Sequence, residues 1–344
     1  MSFWDQFETH ETSATPAPAT PATPAPTVDY LGRFLSEAST HVYGQSEALI
    51  ATLVGCVARK NTLLQGSYGE AKTMTAELVA SALPLRAGMW QLNPYTEVDE
   101  ILGGVDIEKW RDQGEFDRHR VGLWVAELAI LDELDKAQGA VQNCLLRALN
   151  ERQIAMQGEI HDLPLQCVIA PINDDIECPA TDARFVVRIA VKRPSSADYI
   201  KGRKGLTKEP VTPLSADELG AIRKEAKARL ESAPETWWAT VTTLLTRMES
   251  THAPIPTRDT EWLLEIASVF SVLRGAPALT GYDLYPLCWM GSTAQQSIAK
   301  SAFGSVLRIV ATSFSDLIPA ITTSEEALEA TRADLAARIG GGSC

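Results

Sequence analysis

Residues Gly66 to Thr73 read GSYGEAKT, a glycine-punctuated loop that ends in Lys-Thr and follows the apolar run Thr62-Leu63-Leu64. A strand that enters such a loop and leaves it as a helix, expected over Met74 to Leu83, turns several backbone N–H groups toward one point. The helix start adds partial positive charge there, so the point is suited to phosphate. Lys72 can reach β- and γ-phosphates, and the Thr73 hydroxyl can ligand Mg²⁺. The candidate phosphate-binding residues are therefore Gly66, Ser67, Tyr68, Gly69, Glu70, Ala71, Lys72 and Thr73. Ala71 stands where such loops carry their last glycine. A methyl is tolerated there if the residue has helical dihedrals, since only positive φ demands glycine. Taken alone, the loop also reads as an ordinary strand–turn–helix connection.

A second signal lies some sixty residues on. LAILDELDKA, Leu128 to Ala137, is an apolar strand that ends in the adjacent carboxylates Asp132 and Glu133. Such a strand supplies what a phosphate loop needs beside it. Asp132 would hold Mg²⁺ through its water shell, and Glu133 would orient and deprotonate an attacking water. A buried strand with a solvated acidic turn is the plainer reading, but it leaves the position of the pair unexplained. Together the two motifs predict nucleotide binding and hydrolysis.

The elements that must position these groups follow from the pattern of the chain. From Tyr30 to about Pro194, helix and strand alternate, which implies a parallel sheet covered on both faces. Strands are expected at Thr62 to Gln65, Met89 to Leu92, Leu128 to Asp132, Gln166 to Pro171 and Phe185 to Val191. Helices are expected at Gln45 to Lys60, Met74 to Leu83 and Gly139 to Glu151. Beyond Pro194 the pattern is helical throughout. Ser215-x-x-Glu218 is a capping box that opens a helix to about Ser232, followed by stretches at Glu235 to Glu249, Asp259 to Arg274 and Ala294 to Leu317. Thr323-x-x-Glu326 caps a last helix that stops at Gly340 to Gly342.

The ends and composition set limits. Residues Thr12 to Thr27 form an Ala-Pro-Thr tract that offers little to bury and reads as an extended linker. Ahead of it, SFWDQFE carries three aromatics and reads either as a frayed terminus or as a recognition segment. The organisation expected is an arm over 1–29, an α/β nucleotide-binding core over 30–194, a linker over 195–213, a helical lid over 214–290 and a C-terminal helical extension over 291–344. The 344 residues, 45% apolar, suffice for two packed units, and the formal charge of −13 disfavours nucleic acid and anionic membrane as partners. The basic stretch YIKGRKGLTK, Tyr199 to Lys208, reads as a solvated connection. No apolar run reaches the roughly 20 residues that span a bilayer, and no secretion signal opens the chain. The six cysteines are scattered without a C-x-x-C pair, so a cytoplasmic, soluble protein without a zinc cluster is expected.

From about Val42 to Trp289 the chain resembles the MoxR group of AAA+ ATPases, in particular a RavA-like branch. YGQSEALIATLVGCVARKNTLLQGSYGEAKT is similar to that group's opening segment with its Walker A loop. GLWVAELAILDELDKAQGAVQNCLLRALNERQI, Gly122 to Ile154, is similar to its Walker B region, including the triplet Asn150, Glu151 and Arg152. The resemblance implies a P-loop NTPase core with a five-stranded parallel sheet, a helical lid, and ATP and Mg²⁺ as cofactors. It also implies three more site residues. Asn173, ending QCVIAPIND, takes the sensor 1 place; Arg184 in PATDARFVVRI takes the arginine-finger place, with Arg188 in reserve; Arg258 in IPTRDTEWLLEIASVF takes the sensor 2 place. The bottom-up reading of Asn173 agrees, because ligands of α/β proteins sit at the C-terminal ends of strands. An arginine supplied from outside neutralises charge on a transferred phosphoryl group.

There are departures. Ala183 stands where the group has Asp before Arg-Phe, so an orienting carboxylate is lost or replaced by Asp182. Glu70 and Tyr68 stand at positions that are usually small or proline, and a carboxylate this near phosphate weakens nucleotide binding unless it points outward. A donated arginine implies a ring of copies, by resemblance a hexamer, that remodels a protein client. A separate von Willebrand A protein is a candidate partner, since this chain has no D-x-S-x-S motif. Val98 to Arg120, with Gly103-Gly104, is either the client-contact segment or a surface excursion. Two other classes compete. A P-loop kinase or GTPase would work as a monomer, and no Asn/Thr-Lys-x-Asp base-reading motif is present. A nucleotide-stabilised ring or scaffold with little turnover would recruit a partner through the N-terminal arm.

Overall fold

The strand-forming runs are apolar on successive residues, so both faces must be covered. The computed structural model describes residues 30–307 except 115–117, 157, 195, 197–198 and 201–209. The arm, the basic stretch after Ile200, the capping box at Thr323 and everything after Leu307 lie outside the described residues.

Five parallel strands, β1 (Thr62–Gln65), β2 (Ala87–Gln91), β3 (Leu128–Asp132), β6 (Cys167–Ile172) and β7 (Val187–Ala190), stand in the order β2-β3-β6-β1-β7. Their residues alternate between two apolar clusters, as a period of two requires. Leu64, Leu128, Ile130, Ile169 and Val187 face one; Leu63, Ala129, Leu131, Val168 and Ala170 face the other. The first face is covered by α1 (Tyr30–Ala38), α2 (Ser46–Val57) and α3 (Lys72–Ser81). The second is covered by α4 (Val98–Leu102) and α6 (Gly139–Glu151). Between them, α5 (Ile107–Gln113) is capped by Asp106, whose carboxylate accepts the Lys109 N–H, and it exposes Ile107 and Trp110.

One element went unexpected. β4 (Gln153–Met156) and β5 (Glu159–Asp162) form an antiparallel hairpin between α6 and β6, turning at Gly158 with φ +83°. Its sequence signal was the alternation in QIAMQGEIHD around a Gln-Gly pair.

After the short α7 (Pro179–Asp182) and β7, the chain is helical: α8 (Ala216–Glu231), α9 (Glu235–Ser250), α10 (Thr257–Leu273) and α11 (Thr293–Leu307), with a 3-10 segment at Gly281–Trp289. Ser215 and Glu218 close the expected capping box at the start of α8. These helices share the first apolar cluster with the sheet: Leu263, Ile266 and Phe270 of α10 and Trp289 belong to it together with Leu64 and Val187. Lys60, just after α2, also pairs with Glu265 and lies over the Trp262 ring. The helices are tied together by Arg274 and Asp283, buried at 3% and 0% side-chain exposure and joined at 2.6 Å. The Thr280 N–H and hydroxyl also donate to Asp283, so its carboxylate is fully engaged.

Removing one partner of such a pair leaves an uncompensated buried charge. Asp283→Ala is therefore expected to destabilise the helical part by about 3–5 kcal/mol, measured as a shift in its urea unfolding midpoint.

Candidate active site at the C-terminal edge of the sheet

β1 delivers the chain at the edge where β3 and β6 also end. There the Gly66 N–H donates to the Ile172 carbonyl at 3.2 Å, binding loop to sheet. Gly66 is required by space: a Cβ on it would lie 2.5 Å from the Val191 carbonyl oxygen and 2.4 Å from a Glu70 carboxylate oxygen. Ala71 corrects the expectation from sequence. Its φ of 62° is left-handed, not helical, so the methyl is carried at a strain of about 1 kcal/mol that glycine would not have.

Lys72 is 7% exposed and its ammonium donates to the carbonyls of Gly66 at 2.8 Å and Ser67 at 2.7 Å and to Asn173 Oδ1 at 2.9 Å. Burial pulls its pKa down, and the carboxylates of Glu70, Asp132, Asp135 and Glu133 act against that. Thr73 Oγ1 donates to Asp132 Oδ2 at 2.9 Å. The Asp132 carboxyl is pushed up, first by burial and further by Glu133, against the Thr73 hydrogen bond. Lys72, Thr73, Asp132, Glu133 and Asn173 are thus brought to one edge.

Two side chains there were not anticipated. Lys136 pairs with Glu133 Oε1 at 2.9 Å and lies 5.2 Å from the Tyr68 ring centroid. Asp135 accepts the Asp174 N–H at 3.1 Å, fixing the chain just after Asn173. Their signal was the charge run DELDK itself. Glu70 does not point outward: its carboxylate accepts the Ser67 N–H at 2.7 Å and stays on the loop. Glu133 sits in the left-handed region at φ 58°, its N–H donating to the Pro171 carbonyl.

The arginines lie elsewhere. β7 runs parallel to β1 with Thr62 opposite Val187 and Gln65 opposite Ala190. Arg184 precedes β7, so it belongs to the N-terminal edge, roughly 13 Å of strand away from the loop. Its carbonyl is held by Asn61 at 3.0 Å, and its Nε is buried without an acceptor among the described residues. Arg188, the reserve candidate, lies in β7 and pairs with Asp182 at 2.7 Å. Asp182 is therefore taken by Arg188 and does not orient Arg184. Arg258 reaches the segment that carries Arg184: it donates to the Ala183 carbonyl at 3.1 Å, and its guanidinium carbon stands 4.4 Å from the Trp262 ring centroid.

Residues 30–201 match a family model described as the MoxR domain of MoxR–vWA–β-propeller ternary systems. The chain belongs to the MoxR group of AAA+ ATPases. Similar curated proteins include Chaperone MoxR1 of Mycobacterium tuberculosis, 28% identical over 199 residues (56% of this chain, 51% of that one). Structural protein ORF618 of Acidianus two-tailed virus is 34% identical over 166 residues (46% and 27%). An uncharacterized protein of Methanocaldococcus jannaschii is 27% identical over 202 residues (57% and 53%). The MoxR-type chain thus spans about half or less of the length of these relatives. In fold it is similar to the crystal structure of a candidate ATPase from Cytophaga hutchinsonii, with TM-score 0.62, 17% identity, and coverage of 83% of this chain and 96% of that one.

An AAA+ ATPase implies ATP and Mg²⁺, and the residues of this MoxR chain fit both. Any side chain at Gly66 would fill the cradle. Thr73 and Asp132 are hard oxygen donors, suited to an ion that takes one or two protein ligands and keeps its waters. Among the described residues no cluster of three His, Cys, Asp or Glu could hold a metal unaided.

Two outcomes follow. Ala71→Gly should remove the left-handed strain and stabilise the nucleotide-free protein by about 1 kcal/mol, seen as a higher Tm. Glu70→Gln keeps an acceptor for Ser67 while removing a charge that repels phosphate. Its Kd for a fluorescent ATP analogue should fall about tenfold, near 1.4 kcal/mol.

Proposed function

We propose that this chain hydrolyses ATP at contacts between copies of itself in a ring, by family resemblance a hexamer, and uses the cycle to remodel a protein client. In this reading residues 30–194 form the nucleotide-binding core, 214–290 the lid, 195–213 the linker and 291–344 an extension. Lys72 and the amides of Gly66 to Thr73 grip phosphate. Mg²⁺, when bound, offsets charge between the phosphates and carboxylates. Thr73 and Asp132 hold its place, and Asn173 orients water for Glu133, which accepts the proton. Lys136 engages Glu133, so that pair must loosen for Glu133 to act as a base.

The observation that carries the reading is the polarity of the sheet. The gripping residues share one edge, while Arg184 and Arg258 lie together at the other, held against the same short segment. Arg184 cannot serve its own cradle without unfolding β1 or β7, and Arg258 is bound to the same segment, so each would complete the site of an adjoining copy. The descriptions of the matched family support a von Willebrand A protein as partner, and the exposed Trp110 and Ile107 on α5 support Val98 to Arg120 as the client contact. No helix among the described residues is long and apolar enough to cross a membrane.

Lys72→Ala is expected to lose ATP binding, and Glu133→Gln to bind ATP without turning it over. Arg184→Ala should bind ATP while kcat falls by about 10³ or more. Mixing Lys72→Ala with Arg184→Ala protein should restore hydrolysis. Full activity of a strictly monomeric species by light scattering would overturn the reading.

A further inference from the structure

Asn61, the residue just before β1, is 4% exposed and uses every hydrogen-bonding position of its side chain. Its Nδ2 donates to the carbonyls of Leu149 at 2.9 Å and Arg184 at 3.0 Å. Its Oδ1 accepts from the Arg152 guanidinium at 3.0 Å and the Val168 N–H at 3.2 Å. The orientation of the amide is unambiguous, because two of these neighbours can only accept and two can only donate. The Asn61 carbonyl also accepts from the N–H groups of Val186 and Val187. Arg152, left-handed at φ 58°, props Asn61 from the end of α6 while capping the Leu149 and Ala148 carbonyls.

We propose that Asn61 is the positioning residue for Arg184, fixing the backbone of the arginine offered to a neighbour. Arg184 stands on the short link between α7 and β7, its own N–H bound only to the Thr181 carbonyl one turn back. Arg188 of β7 holds the Asp182 and Phe185 carbonyls on either side and Arg258 holds that of Ala183, while the side-chain contact to the Arg184 carbonyl itself is the amide of Asn61. Asn61 also leads directly into the strand that runs to the phosphate loop, and through Val168 it holds the strand that runs to Asn173. A shift of β1 or β6 against one another at the gripping edge is therefore delivered to the Arg184 carbonyl at the other. No carboxylate takes part in these contacts, so the arrangement fixes the backbone of Arg184 without engaging its guanidinium.

This inference rests on donation between copies, and the test separates the two. In full-length protein, Lys72→Ala serves as arginine donor and Arg184→Ala as recipient, and ATP hydrolysis of the mixture is measured. Asn61→Ala is then added to one side at a time. Placed in the donor, it should lower the restored rate at least tenfold; placed in the recipient, it should change it less than twofold. The affinity of Asn61→Ala protein for a fluorescent ATP analogue should stay within about twofold of the parent, since the cradle is at the opposite edge. Equal restoration by both donors overturns the role of Asn61 and leaves donation standing. Equal loss on both sides, or loss of nucleotide binding, makes Asn61 a general fold residue and also overturns it. Failure of Lys72→Ala to restore Arg184→Ala at all, with the parent active, overturns donation itself. If Asn61→Ala does not fold, Asn61→Asp carries the same test: it keeps the acceptor for Arg152 and Val168 and loses both donors.

Discussion

A parallel sheet has two chemically different edges, and everything proposed for this chain depends on that polarity. All five strands leave the sheet on the same side, so the loops after β1, β3 and β6 converge there. The loops that enter the strands converge on the other. Side chains cannot cross the thickness between, because each strand residue advances the chain by about 3.3 Å and even Arg reaches little more than two such steps. The cradle and the arginines are thus separated by covalent geometry rather than by a weak preference. Closing a catalytic site from both sets then demands a second copy.

The same junctions concentrate backbone strain. Ala71, Glu133 and Arg152 all have φ near +60°, Ala71 where α3 begins and the other two where β3 and α6 end. A non-glycine residue there costs on the order of 1 kcal/mol. The surroundings fix each one: Lys72 and Thr73 are tied to Gly66, Ser67 and Asp132; the Glu133 N–H is bound to Pro171; Arg152 is bound to three carbonyls and Asn61. Strain of this kind persists where several neighbours over-determine the conformation, and it is typical of functional sites.

Much of the architecture could be read from the chain. The runs at Thr62 to Gln65 and Leu128 to Asp132, and the helix Gly139 to Glu151, were delimited to the residue by buried apolar spacing and flanking turns. The phosphate-loop residues and the acid pair were legible because their chemistry is tied to short spacing. What could not be read depends on tertiary surroundings. The direction of Glu70 is decided by a free amide at Ser67, and the dihedrals of Ala71 by how β1 must turn into α3. The strand that carries Arg188 was expected, but its pairing with Asp182 was not, because the two meet only where α7 packs beside β7. The hairpin at Gln153 to Asp162 was hidden by a helix that ends only two residues before it. Asn61 carried no motif at all; its importance lies in partners that are 88, 91, 107 and 123 residues away.

The apolar cluster shared by the sheet and the helices after Pro210 constrains both dissection and motion. Cutting the chain after residue 194 would uncover the faces of α2 and β7 that Leu263, Ile266, Phe270 and Trp289 now cover, leaving a sticky fragment prone to aggregate. Swinging the helices wide would uncover the same surface at each turn of a cycle. Val187 also bridges to Met290, locking the last strand to the segment that follows the 3-10 turn. Relative movement of the two halves is therefore confined to sliding of interlocked side chains, a shear of small amplitude rather than a hinge.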